Sequence, residues 1–188
     1  MPPLLFFTDP QRTPEPERTV ERLPRGAAVV YRAFGARNAV CLGQKLARIA
    51  QRRGVLLFVG ADARLARALG AAGVHLPERL AKRRGAVLAL RRRFVVTAAA
   101  HSLPAALRAR RAGVDAIVVS PVFASRSPSA GRAMGARAFA RLIREAGAPA
   151  YALGGVNPTT VRRLNGAGAI GFAAIDGLTS APQSECSS

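Results

Sequence analysis

Apolar residues fall into short unbroken runs, and the stretches between them repeat apolar and charged positions at helical spacing. The runs are 4–8, 27–31, 55–59, 73–76, 94–98, 116–119, 148–153 and 169–173. They are too short for helices and too uniformly apolar for strands with one face in water, so they read as strands buried on both faces. The intervening stretches 41–53, 62–71, 103–112, 136–146 and 158–167 are rich in Ala and Arg and read as helices, and a first helix falls around 15–23. In 62–71, Leu65, Ala66 and Leu69 share one face and arginines occupy the other. Gly54, Gly70, Gly113, Gly147 and Gly168 stand where a helix C-terminus takes a left-handed residue. Strand alternating with helix predicts a parallel sheet with right-handed crossovers. Eight such units predict a closed α/β (β/α)₈ TIM barrel, short at 188 residues against about 250 for that fold. The first helix must then be brief and the last vestigial. An open doubly wound sheet is the alternative.

One domain, 1–179, accounts for the pattern, and the polar residues 180–188 read as a disordered tail. No run of apolar residues is long enough to span a bilayer, and the N-terminal segment lacks a basic region and reaches Asp9 early, unlike a signal peptide. Cys41 and Cys186 form no disulfide framework, so a cytoplasmic protein with reduced thiols is expected.

Charge adds one question. Twenty-nine basic residues face ten acidic ones, for a net +19, and all but Lys45 and Lys82 are arginine. Such a field attracts anions. The clusters Arg83-Arg84, Arg91-Arg92-Arg93 and Arg108 to Arg111 fall mostly on outer helices or their ends, where a solvated face is the ordinary outcome. With two tyrosines and no tryptophan to stack bases, nucleic acid is not the expected partner.

A barrel of this kind carries its chemistry at the C-terminal strand ends. Those positions hold Asp9, Arg32, Gly60 with Ala61, His75 with Glu78, His101 with Ser102, Ser120 with Pro121, Gly154 with Gly155 and Asn157, and Ile175 with Asp176. Gly154-Gly155 followed by Asn157-Pro158 suggests a phosphate cradle, because glycines let backbone approach an anion and N–H groups at a helix start point toward it. The same residues equally spell a turn, an Asn cap and a proline in the first helical turn. Residues 120–135 form a long connection holding Ser125, Arg126, Ser127, Ser129 and Arg132, with glycines at 131 and 135, which suits a binding loop. His101 is the candidate acid or base, since imidazole serves both roles near neutral pH. No Cys/His zinc spacing and no Walker or dinucleotide fingerprint is present.

Phe7-Thr8-Asp9-Pro10, Gly73-Val74-His75-Leu76, His101-Ser102, Ser120-Pro121-Val122-Phe123 with Ser125-Arg126-Ser127, and Leu153-Gly154-Gly155-Val156 resemble, in order and spacing, the thiamine phosphate synthase and TenI family. The resemblance runs from about residue 4 to 178 and implies a (β/α)₈ barrel. It implies an enzyme that joins a pyrimidine pyrophosphate to a thiazole phosphate, with Mg²⁺ on the pyrophosphate. The leaving pyrophosphate yields a pyrimidine carbocation that the thiazole nitrogen captures, which needs a dense positive clamp. Arg32 matches the family's arginine after the second strand, Ser125 and Ser127 stand where it has threonines, and Gly154 and Gly155 match its glycines at the thiazole phosphate. His101 matches the histidine with which some TenI relatives tautomerise a thiazole carboxylate phosphate.

Other positions depart from that pattern. Phe34 and Pro128 replace lysines, Gly60-Ala61 replaces an Asn-Asp pair, and Leu80 replaces a second metal-binding aspartate. Ala99 replaces a serine. Asp176 replaces a serine beside the phosphate and is read as a cap for the last short helix. Alanine and leucine cannot ligate Mg²⁺. The expectation is therefore a thiamine-biosynthesis family protein without a metal cofactor, binding a phosphorylated thiazole or pyrimidine through Arg32, His75, Ser125, Arg126, Ser127, Arg132, Gly154, Gly155, Asn157 and Ile175. His101 supplies any acid–base chemistry. A metal-independent tautomerase and a non-catalytic binder stay open, as does a homo-oligomer.

Overall fold

A computed structural model describes residues 1–125 and 131–176. Eight parallel strands close into a barrel in sequence order. They are β1 (Leu4–Phe7), β2 (Ala28–Tyr31), β3 (Leu56–Gly60), β4 (Gly73–Leu76), β5 (Val95–Ala100), β6 (Ala116–Val119), β7 (Ala150–Ala152) and β8 (Gly171–Ala174). The ring closes where Leu5 pairs with Ala173 and Phe6 with Ala174. The open-sheet alternative is thereby excluded. The expected tail at 180–188 lies outside the described residues, as do Arg126, Ser127, Pro128 and Ser129.

Alternation along each strand sorts the apolar residues into two cores. Leu5, Phe7, Ala28, Val30, Phe58, Val118, Tyr151 and Ala173 fill the barrel. Phe6, Val29, Tyr31, Val59, Val74, Val96, Ile117 and Val119 point outward under the helices. Strands buried on both faces read as continuous apolar runs for this reason. A Cβ on Gly73 would stand 2.7 Å from the Phe58 ring, so the glycine makes room for that ring inside the barrel. At the N-terminal end the Tyr151 hydroxyl donates to the Pro2 carbonyl at 2.7 Å, closing the barrel floor.

The helices are α1 (Pro16–Arg22), α2 (Ala39–Arg53), α3 (Ala63–Ala68), α4 (Arg84–Arg91), α5 (Leu103–Ala112), α6 (Gly135–Ala146) and α7 (Pro158–Val161). Gly54, Gly113 and Gly147 cap α2, α5 and α6 in the left-handed conformation. The seventh helix departs from expectation. It ends after one turn, continues as a 3₁₀ turn (Arg162–Leu164) and is followed by left-handed Gly166 and Gly168. Gly168 therefore lies in a connection rather than at a helix end. Helix α4 is the element that the apolar pattern did not single out. Among the described residues no helix is long and apolar enough to cross a membrane.

Candidate functional site

The C-terminal strand ends surround one cavity of about 1760 Å³. Arg32, His75, His101, Ser125, Arg132, Gly154, Gly155, Asn157 and Ile175 all line it, so every described residue expected at the site faces the same space. Arg126 and Ser127 lie outside the described residues.

Strands β1, β2 and β8 bring together a chain of charges. The Arg32 Nε donates to the Thr8 carbonyl at 2.7 Å, and its Nη2 donates to Asp9 at 3.1 Å. Asp9 also accepts the backbone N–H groups of Gln11 and Arg12. The Arg12 side chain turns to Asp176, donating from Nη2 at 2.6 Å and from Nε at 3.2 Å. Burial pulls the Arg32 guanidinium below its ordinary pKa, Asp9 opposes that shift, and Arg12 adds to it. Asp176 is held by an arginine from the other end of the chain, and the last short helix that it was expected to cap lies outside the described residues.

Five arginines line the cavity, Arg12, Arg32, Arg64, Arg79 and Arg132, against the aspartates Asp9, Asp62 and Asp176. Arg64, Arg79 and Arg132 make no ion pair among the described residues. The mouth therefore keeps an excess of positive charge after its internal pairs are formed.

The two histidines differ in environment. His75 is buried inside β4, with its Nδ1 3.0 Å from the Thr97 hydroxyl and its ring edge-on to Phe7 at 4.9 Å. Burial, reinforced by the charges of Arg32 and His101, drops its pKa to about 3, so it is neutral at physiological pH. His101 stands exposed just beyond β5. Its Nδ1 lies 2.8 Å from the Ser120 carbonyl, which only accepts; Nδ1 therefore carries the proton, and Nε2 holds the free lone pair of the neutral ring. Its backbone N–H donates to Glu78 at 3.1 Å, and Glu78 is tied in turn to Arg108 at 3.4 Å.

The glycine doublet adopts left-handed backbone, with φ of 94° at Gly154 and 60° at Gly155. The chain there packs so closely that a Cβ on Gly155 would run into the Ala124 carbonyl oxygen. The helix start beyond it is capped by its own side chains. Asn157 Oδ1 accepts the N–H groups of Thr159 and Thr160, both at 2.9 Å, and the Thr160 hydroxyl accepts the Asn157 N–H. The cap thus satisfies the N–H groups of Asn157, Thr159 and Thr160 at the start of α7.

The Mg²⁺ implied by the resemblance does not fit the residues present. Ala61 and Leu80 carry no donor. The Asp62 carboxylate caps α3, and Asp9, Glu78 and Asp176 are held by arginines. Among the described residues no three His, Cys, Asp or Glu side chains are grouped to hold a metal ion.

The family described as thiamine monophosphate synthase matches residues 4–178. The chain belongs to that family. The thiamine-phosphate synthase of Thermus thermophilus is 32% identical over 177 residues, covering 90% of this chain and 83% of its own. That of Methylococcus capsulatus is 34% identical over 165 residues, covering 81% and 70%. Among solved structures, the thiamine phosphate pyrophosphorylase from Pyrococcus furiosus superimposes with a TM-score of 0.79 at 25% identity, over 96% of this chain and 89% of its own. Family membership thus places the protein in thiamine biosynthesis. It agrees with the resemblance read from the strand-end motifs and with the closed barrel.

Sequence reasoning passed over Arg12 and read Phe34 only as a lost lysine. Arg12 lies three residues beyond the strand-end Asp9, a spacing that could have drawn attention to it. No local signal announces its partner, Asp176.

Proposed function

We propose that this protein binds a phosphorylated thiazole or pyrimidine in the barrel mouth and acts on it, without a metal, by proton transfer through His101. The observation that carries the binding is the set of arginines that make no ion pair among the described residues around the cavity, Arg64, Arg79 and Arg132. They supply an anion's counter-charge where the divalent ion would otherwise serve.

Support for the chemistry comes from His101. Its Nδ1–H is fixed on the Ser120 carbonyl, which turns a free lone pair at Nε2 into a positioned base. A base at Nε2 takes a proton from one ligand carbon, and the resulting imidazolium returns one at another. Such a tautomerisation neither gains nor loses atoms and displaces no pyrophosphate. The donor set argues against the metal-assisted condensation, because the positions that would hold Mg²⁺ are alanine and leucine.

The test is solvent deuterium incorporation into a thiazole carboxylate phosphate, followed by NMR with EDTA present. Incorporation that falls about a hundredfold or more in His101→Gln, with ligand affinity retained, is the expected result. Binding without incorporation would leave the protein a carrier or sensor. Product from the thiazole and pyrimidine phosphates in Mg²⁺ alone would restore the synthase reading.

A further inference from the structure

We propose that Phe34 is a stacking platform for a flat heteroaromatic ring, and so sets which phosphorylated ligands the mouth prefers. This rests on the reading that the mouth binds a phosphorylated ligand. It concerns the part of the cavity by β2 and β3.

Phe34 lines the cavity with 65% of its surface exposed. Its backbone φ is 47°, in the left-handed region that a bulky residue rarely takes. Folding explains neither property. An exposed phenyl group gains little from burial, and the neighbouring Gly35, already left-handed at φ 75°, shows how the turn is ordinarily made. An aromatic residue in a disfavoured conformation at the lip of a cavity points to a use there.

Its neighbours define that use. The Arg32 guanidinium sits 5.0 Å from the centre of the Phe34 ring, while Asp9 and the Thr8 carbonyl hold the arginine in place. The ring is thus steadied by a cation on one side. Ala33, Gly35, Gly60 and Ala61 line the same cavity with small residues, and Asp62 and Arg64 follow them. A Cβ on Gly60 would stand 3.2 Å from the Arg32 side chain, a tight contact that glycine avoids. The result is an exposed aromatic face beside a fixed positive charge. It is shaped for an aromatic ring that carries an anionic group, and not for a hydrated cation or a bare polyphosphate.

Calorimetric titration of the full chain with two phosphate esters tests this. One is the phosphate ester of hydroxyethylthiazole, and the other is glycerol phosphate, of like charge but without a ring. The wild type should hold the thiazole ester about three- to tenfold more tightly. Phe34→Leu, which keeps an apolar group of similar size, should abolish that difference and leave glycerol phosphate binding unchanged. Phe34→Tyr should preserve it. A thiazole advantage that survives in Phe34→Leu would overturn the platform while leaving phosphate binding intact. If the wild type binds neither ester, the platform falls together with the binding reading.

Discussion

Arg12 and Asp176, 164 residues apart in sequence, are joined by two hydrogen bonds across the closing seam of the barrel. The pair puts a carboxylate at the strand end where the family resemblance places a phosphate. The anion that this mouth accepts must therefore approach Asp176 or stay clear of it.

Asp176→Asn should consequently strengthen phosphate ester binding by about tenfold, because one negative charge leaves the corner and the Arg12 guanidinium is released to the ligand. Calorimetry with the thiazole ester reads the change. Weaker binding in the variant would mean that the Arg12–Asp176 pair builds the site instead of opposing the ligand.

His75 predicts a pH dependence of stability. Its pKa falls from the ordinary 6.5 in the unfolded chain to about 3 in the fold. Because the folded value is the lower one, the unfolded chain takes up the extra proton as pH drops. The histidine's cost to stability is absent above about pH 6.5 and grows toward pH 3, at up to about 1.4 kcal/mol per pH unit. Urea titrations of wild type and His75→Gln between about pH 7 and pH 4 should show a steeper loss in the wild type. Parallel profiles would contradict a buried neutral imidazole.

Gly155→Ala should destabilise the barrel by about 3 kcal/mol. The new methyl group meets the Ala124 carbonyl oxygen and also holds a left-handed backbone. Phe34→Gly should do the opposite and raise stability by about 0.5 kcal/mol, since it relieves a left-handed phenylalanine at an exposed position. Chemical denaturation reads both. A stability loss in Phe34→Gly would show that the ring contributes to folding.

The barrel was legible because its signal is local and repeated. The run 73–76 became β4 and 116–119 became β6 without change of boundary, since strands buried on both faces are apolar throughout. Run 148–153 shortened to Ala150–Ala152, with Pro149 at its edge lacking an N–H for the ladder. Helix α4 was obscured by Arg83, Arg84 and Gly85 at its start, which carry no apolar period. In the site, strand-end positions could be read one at a time, because the fold class assigns them a place. Their pairings could not, since Arg12 with Asp176 and His101 with Ser120 depend on how strands from distant parts of the chain meet. Phe34 looked like a missing lysine because sequence alone does not report exposure or a positive φ.

The most direct measurement is a titration of the protein with the pyrimidine pyrophosphate, the ligand on which the resemblance places Mg²⁺, once in EDTA and once in millimolar Mg²⁺. A mouth that replaces the metal with arginines predicts the same Kd in both buffers, weakened about tenfold or more when Arg64, Arg79 and Arg132 are replaced by Ala. Binding that requires Mg²⁺, or that ignores the loss of these arginines, would contradict it.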